Sequence, residues 1–426
     1  MASTVTTSQL DGYFKRVYGK FTDLIPRALY IQNETPLREA DKIGESFNVS
    51  VLVEDQNGAT VAGPDSGAFD LNEPRALTTK RAFVNGSQIV NRGLIDYESA
   101  AKAVADGSKA FGRATRLIVQ QLYNNTRNRL EVMNLYGQSD SGIGVATSSA
   151  NASATTTVVT LTAASWASGI WNAFQGVEIE FRELGNLSNL VSSGADSVFV
   201  VTAVDIANKA ITVTGTAAGI TALDADIAAG GGTDQAIFFR GGFAGDFAGI
   251  DKIVTNTGTL FGIDSTAFQL WKGNTVTVSG AFTVETGSEA VSVAASRGLD
   301  SDVTALVSPG IWAKMLTDQA ALRRYSNDVT KEMKNGARSI SFYTQTGTIE
   351  YVAHKFVKDG DVFILPFDGL KRIGATDVTF STPGHDGEIF RQLESKAGFE
   401  FRAYSNQAII HEAPATATKV SWFTLP

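Results

Sequence analysis

Between residues 45 and 92 the chain carries a long extended arm with no evident core of its own. Phe47, Val49, Val51 and Val53 alternate with Asn48, Ser50, Leu52 and Glu54. That largely period-2 pattern predicts a half-buried strand. A Gly-, Pro- and Asp-rich stretch, NGATVAGPDSGAFDLNEP, follows at 57–74. The chain is expected to be extended again over 75–89 and helical from near Asp96. A two-stranded hairpin is marginal in water when nothing covers it. An arm of this length must therefore lie on its own domain or on another subunit, so self-assembly is in view before any chemistry.

The rest of the composition is that of an ordinary globular chain. Its 426 residues suggest about two to four domains. Apolar content of 43% against 19% charged residues supplies ample core and argues against disorder. No stretch approaches the roughly 18 uncharged apolar residues of a spanning helix. The opening MASTVTTSQLDGYFKR lacks the apolar centre of a secretory leader. The absence of cysteine removes disulfides, zinc-thiolate sites and thiol nucleophiles together. A net charge of −8 argues against tight, sequence-independent nucleic-acid binding, yet suits a protein that surrounds nucleic acid without gripping it.

Periodicity predicts a first helix over 8–18, an irregular passage between Pro26 and Pro36, and a helix over 96–105. A longer helix is expected over 108–136, about 40 Å long at 1.5 Å per residue. Phe111, Ala114, Ile118 and Leu122 form its core-facing stripe. Arg113, Arg116, Gln120, Asn124, Arg127 and Glu131 trace the opposite face, a solvated surface, a subunit contact or a surface facing an anionic interior. The Ser/Ala/Thr/Gly tract at 137–157 reads as a linker. Strands at 158–161, 177–181, 198–204, 210–213 and 236–239 then suggest a small β domain. Further on come helices at 289–297 and 309–325. Strands are expected at 304–307, 339–343, 348–352, 361–365, 399–404 and 408–411.

Little in the chain carries chemistry. His354, His385 and His411 have no metal-binding spacing and read as structural. No G-x-S-x-G elbow, Walker A pattern or G-x-G-x-x-G fingerprint is present. Ser99 and Lys102 match S-x-x-K without the companion elements. Asp224 with Asp226, and Asp300 with Asp302, form D-x-D pairs. Ala228 stands where a calcium loop would need a further ligand, so all four read as loop carboxylates. No catalytic, cofactor or metal site is expected.

Several passages together resemble the major capsid proteins of tailed bacteriophages. They are QIVNRGLIDYESAAKA, LYNNTRNRLEVMNLYGQ, AIFFRGGFAGDFAGIDKIVTNTGTLFGIDSTAFQLWKGN, ALVSPGIWAKM and KAGFEFRAYSNQAIIHEAP. The resemblance lies in order and texture over nearly the whole chain, not in one motif. It implies an α+β Hong-Kong-97-type fold with an inserted small β domain. Residues 1–44 would be the N-terminal arm and 45–91 the extended loop that overlaps a neighbour. Residues 92–149 would hold the spine helix of the peripheral domain and a linker, and 150–245 the insertion. Residues 246–380 would form the axial domain, and 381–426 the returning peripheral strands.

The resemblance also implies the partners. They are further copies in hexamers and pentamers, a portal, a possible decoration protein, and packaged double-stranded DNA held by weak contacts, with no membrane. Assembly in the bacterial cytoplasm and residence in the virion go with it. Some members begin with a long scaffolding segment that is cleaved off. Here the arm begins close to Met1, which implies a separate scaffolding protein. Lys80 is placed where a covalent lysine–asparagine crosslink could start, but no partner stands out and no crosslink is expected.

Arg75, Lys80 and Arg81 are the arm's candidates for subunit contact, with Arg113, Arg116 and Arg127 on the helix. Gly58, Gly63 and Gly67 are candidate hinges, because glycine admits otherwise strained dihedrals. An encapsulin-like compartment shell and a β-rich adhesin are the rival readings. A hydrolase or tail-tube protein fits less well.

Overall fold

In the computed structural model, residues 23–37, 46–64, 67–98, 108–228, 234–317, 340–381, 389–394 and 396–421 are described. The expected helix at 8–18, His385, the Ser99/Lys102 pair and the run Gly230–Gly232 lie outside them, as do most of the expected helix at 96–105 and the end of that at 309–325. The chain opens with a short helix, α1 (Tyr30–Glu34), and the arm's strands β1 (Phe47–Glu54) and β2 (Thr78–Val84). Strand β3 (Ser87–Asp96) continues where the sequence suggested the approach to a helix. The long helix α2 spans Ser108–Tyr136, as its spacing predicted.

Helix α2 changes character along its length. Ile118 and Leu122 pack on Ile95 and Phe401, a stripe on one face. From Leu130 to Tyr136 every side chain is buried, the all-round burial of a helix inside a core. It ends at Gly137, whose N–H still donates to the Met133 carbonyl at 2.8 Å while its own carbonyl accepts from Gly249 at 2.8 Å. A Cβ at Gly137 would stand 2.2 Å from the Phe247 carbonyl oxygen, so no other residue fits there.

The tract expected to be a linker is instead largely a strand, β4 (Gly144–Ser153). It joins β5 (Thr156–Leu161), β6 (Glu178–Glu183), β7 (Phe199–Asp205), β8 (Ala210–Thr214) and β9 (Gln235–Phe239) in a closed barrel ordered β4-β5-β8-β7-β6-β9. Closure leaves no free edge, so small Ser, Ala and Thr residues suffice in β4, held by ladders to β5 and β9. Helix α3 (Ser168–Ala173) follows β5, and α4 (Ala217–Ala228) follows β8. Asp224 and Asp226 thus sit on a helix, not in a loop. The Asp224 carboxylate accepts from Asn151 at 2.9 Å and Thr157 at 2.8 Å, fastening α4 to β4 and β5.

Helix α5 (Ile250–Thr255), the short pair β10 (Thr259–Leu260) and β11 (Ile263–Asp264), and β12 (Asn274–Thr277) lead into a second region. It contains α6 (Val284–Ala295), β13 (Val303–Val307), α7 (Pro309–Thr317), β14 (Ile340–Tyr343), β15 (Thr348–Ala353) and β16 (Asp361–Leu365). Strands β17 (Leu370–Thr379), β18 (Arg391–Gln392), β19 (Gly398–His411) and β20 (Thr418–Ser421) complete the chain. A mixed sheet runs β12-β20-β16-β13-β15-β14. Val291, Ala294, Ile311 and Met315 of α6 and α7 pack into its core. The Thr283 hydroxyl caps α6 by accepting the Thr286 N–H at 3.3 Å. Asp302 is likewise structural: its carboxylate accepts both the N–H and the hydroxyl of Thr348 at the start of β15.

The two strands expected near the C-terminus are one. Strand β19 pairs with β17 over its second half and with β3 from Gly398↔Asp96 to Gln407↔Ser87. Ser405 and Gln407, which fall between the two expected strands, are buried and bond to each other. The barrel also proves continuous with the body. Leu130 and Met133 of α2, Trp171 and Phe174 beside the barrel, and Phe356 and Phe363 beyond it belong to one buried cluster. Backbone bonds from Asp359 to Trp166 at 2.8 Å and from Gly360 to Ala164 at 2.7 Å cross the seam.

Candidate assembly surfaces

The arm divides into a docked base and an uncovered tip. In the β1–β2 ladder Phe47 faces Val84, Val49 faces Ala82 and Val51 faces Lys80. Val49, Val51 and Ala82 pack against Ile263 and Trp271, with Phe261 and Phe268 at the edge. The Trp271 indole N–H donates to the Leu260 carbonyl at 2.9 Å, and the Phe83 N–H donates to that of Phe261 at 3.0 Å. Lys80 points back to the same cluster, its ammonium 5.8 Å from the Phe268 ring centre.

Past Glu54 and Thr78 the ladder shrinks to one bridge, in which Asn57 and Arg75 exchange bonds of 3.2 and 2.6 Å. Asn72 ties the turn to Ala59 and Thr60. Every described side chain from 55 to 77 except Thr60 is exposed, including Val61 at 93% and Leu71 at 77%. Arg75 and Arg81 are exposed and carry no ion pair among the described residues. The candidate hinges differ from one another. Gly67 is left-handed at φ 60° with no described atom within 4 Å of where a Cβ would be, whereas Gly58 lies against Pro74, 3.1 Å from where its Cβ would be. Gly63 is exposed.

The polar face of α2 is no simple surface. The side chains of Arg113 and Arg116 lie outside the described residues. Arg127 donates to Gln32 at 3.1 Å and Asn33 at 3.4 Å, and stacks over Tyr123. Its carbonyl accepts from the Gln32 amide at 2.6 Å. Glu131, read from sequence as surface, is wholly buried. Its carboxylate accepts the backbone N–H groups of Ile31 (2.7 Å) and Gln32 (3.2 Å) at the start of α1. It also accepts from His354 Nε2 at 3.1 Å, because His354 Nδ1 is occupied as acceptor of the Phe356 N–H. These contacts strap residues 23–37 onto the long helix. No periodicity could have revealed Glu131, since a charge on a helix reads as solvent-facing.

A second buried network lies where α2, α5, β16 and β20 meet. Lys419 is paired with Asp251 and stands 3.2 Å from Asp361. Burial opposes its charge, yet the two carboxylates hold its pKa well above the ordinary lysine range. Lys358 donates to the Ser141 hydroxyl at 2.8 Å and the Gly142 carbonyl at 2.7 Å, over the Tyr136 ring. Burial dominates there and brings it down to about 8. Nearby, burial raises Asp246 to about 7, with Arg129 opposing and Glu180 adding. His411 is buried between the Pro366 carbonyl and the Ala413 N–H. Among the described residues no three His, Asp or Glu side chains are grouped to hold a metal, and no helix is long and apolar enough to cross a membrane.

No family model and no curated protein matches the chain. Solved structures do. The capsid of cyanophage A-1(L) aligns over 96% of both chains with a TM-score of 0.51 at 10% identity. The fold is that of a phage capsid protein. Further similar structures are the capsid of a native GTA particle (TM-score 0.43, 9% identity, 99% of both chains) and Mycobacterium phage Adephagia (0.43, 12%, 100% of both). Within this fold the hairpin tip stands uncovered, and the long helix is strapped by residues 23–37.

Proposed function

We propose that the chain is the structural subunit of an icosahedral head shell around phage DNA, with no catalytic role. The observation that carries this reading is the hairpin tip: residues 54–77 expose Val61, Phe69, Leu71 and Leu77 on a chain with a capsid fold. Apolar side chains on an arm without its own core need a cover, and a neighbouring copy supplies one. Many weak contacts per subunit then close the shell cooperatively.

Hexamers and pentamers, a separate scaffolding protein, a portal and possible decoration proteins go with this reading, as does assembly in the host cytoplasm. The acidic chain would touch packaged DNA only weakly. Residues 45–91 act as the extended loop, the helix ahead of the barrel is the spine, 246–380 form the axial domain, and the barrel from Gly144, with the residues that follow to 245, is an insertion. Gly58, Gly63 and Gly67 give the loop its adjustment between ring types. Arg75 and Arg81 contact the neighbour.

The test is electron microscopy and light scattering of the purified chain, with and without a candidate scaffolding protein. Closed shells, or rings that close once scaffold is added, are expected. A monodisperse monomer in both conditions would overturn the reading. Reversing Arg75 and Arg81 together should block shells while leaving the subunit folded.

A further inference from the structure

An open groove of about 710 Å³ lies between α1, α7 and the β13–β15 pair. Its walls are aromatic. Tyr30 and Phe367 meet edge to face with centres 5.6 Å apart, and Trp312 lines the same space. Glu34 and Glu350 also line it; both are exposed, and neither has a cationic partner among the described residues. Both act on one group: after burial, their charges are what raise the Tyr30 hydroxyl's pKa. Ring faces attract cations, and a guanidinium can serve carboxylates with several hydrogen bonds at once. The groove therefore suits an arginine side chain better than a neutral or anionic ligand.

The same molecule displays such a side chain. Arg75 lies past the last residues of the packed hairpin base, its side chain exposed and without an ion pair among the described residues. We propose that the groove receives the Arg75 guanidinium of a second copy's hairpin, held by Glu34 and Glu350 over the Tyr30 and Trp312 rings. This rests on the shell-subunit reading and names the surface that its hairpin meets.

The experiment compares shell yield, by sedimentation and microscopy, for wild type, Arg75→Glu, Glu34→Lys/Glu350→Lys, and all three changes together. Each reversal alone should lower yield at least about tenfold, and the combination should recover most of it. Wild-type yield from the glutamate reversal overturns the proposal. Loss without recovery in the combination overturns it as well, because the groove's cation is then not Arg75. Should the lysine pair fail to fold, Glu34→Gln/Glu350→Gln replaces it. That pair should reduce both yield and its dependence on salt, and unchanged salt dependence would refute the contact. If wild type forms no shells, the shell reading itself falls and takes the proposed partner with it. Shells that ignore the groove variants leave that reading standing and remove only this inference.

Discussion

At the scale of single residues, the strongest commitments are buried polar groups with defined partners. Glu131 serves two backbone N–H groups and one imidazole without any contact with water. Glu131→Ala would strand all three donors, and a stranded buried donor costs about 1–3 kcal/mol. Urea unfolding should register a loss of about 3 kcal/mol or more, with the Ile31 and Gln32 amides exchanging faster. His411 makes a prediction of opposite chemistry. Burial holds its pKa down to about 4, against about 6.5 unfolded. Its contribution is complete above pH 6.5 and is lost as pH falls from there to 4, since only the unfolded state then takes up the proton. The loss is about 3 kcal/mol at 1.36 kcal/mol per unit. His411→Gln should flatten that part of the stability–pH curve, as read from unfolding midpoints at pH 7 and pH 4.5.

At the scale of elements, the hairpin separates into parts with different duties. Replacing 55–77 by Asn-Gly joins β1 to β2 through a favoured two-residue turn. The subunit should keep its stability to within about 0.5 kcal/mol, while shell formation is abolished in sedimentation runs. Trp271→Ala attacks the base instead. It should cost about 3–5 kcal/mol and speed amide exchange along β1 and β2.

How well each element could be read from sequence follows from its chemistry. The limits of α2 were legible because glycines flank a strongly periodic run, and the strands rich in valine, isoleucine and phenylalanine showed in the same way. Strand β4 was hidden because Ala146 to Ser153 contain only Ala, Ser, Thr and Asn. Their strand character comes from ladder bonds to β5 and β9, which local sequence does not display. The alanine-rich α4 lacks a polar face to mark its period. Of the candidate assembly residues, Arg75 and Arg81 could be picked out as exposed arm cations. The bonds Arg127 makes to Gln32 and Asn33 depend on a fold-back of residues 23–37 that no pattern announces.

At the scale of the whole molecule, the barrel and the body share one core. Phe174 packs against Phe239 at 5.0 Å and Phe356 at 6.5 Å, and Arg129 of α2 lies 4.7 Å from the Phe239 ring centre. Calorimetry of the dissociated subunit should therefore show one transition instead of a separate barrel melt. A fragment of residues 144–239 should lack cooperative unfolding, because Trp171 and Phe174 would lose much of their cover.

The divided hairpin also has a mechanical consequence. The cluster around Trp271 is a fulcrum, and the run from Glu54 towards the turn is a lever arm of at most about 36 Å when fully extended. A tilt of about 5° at the fulcrum would carry its end through about 3 Å. Small adjustments at β10 and β11 would thus become displacements large enough to choose between neighbouring side chains.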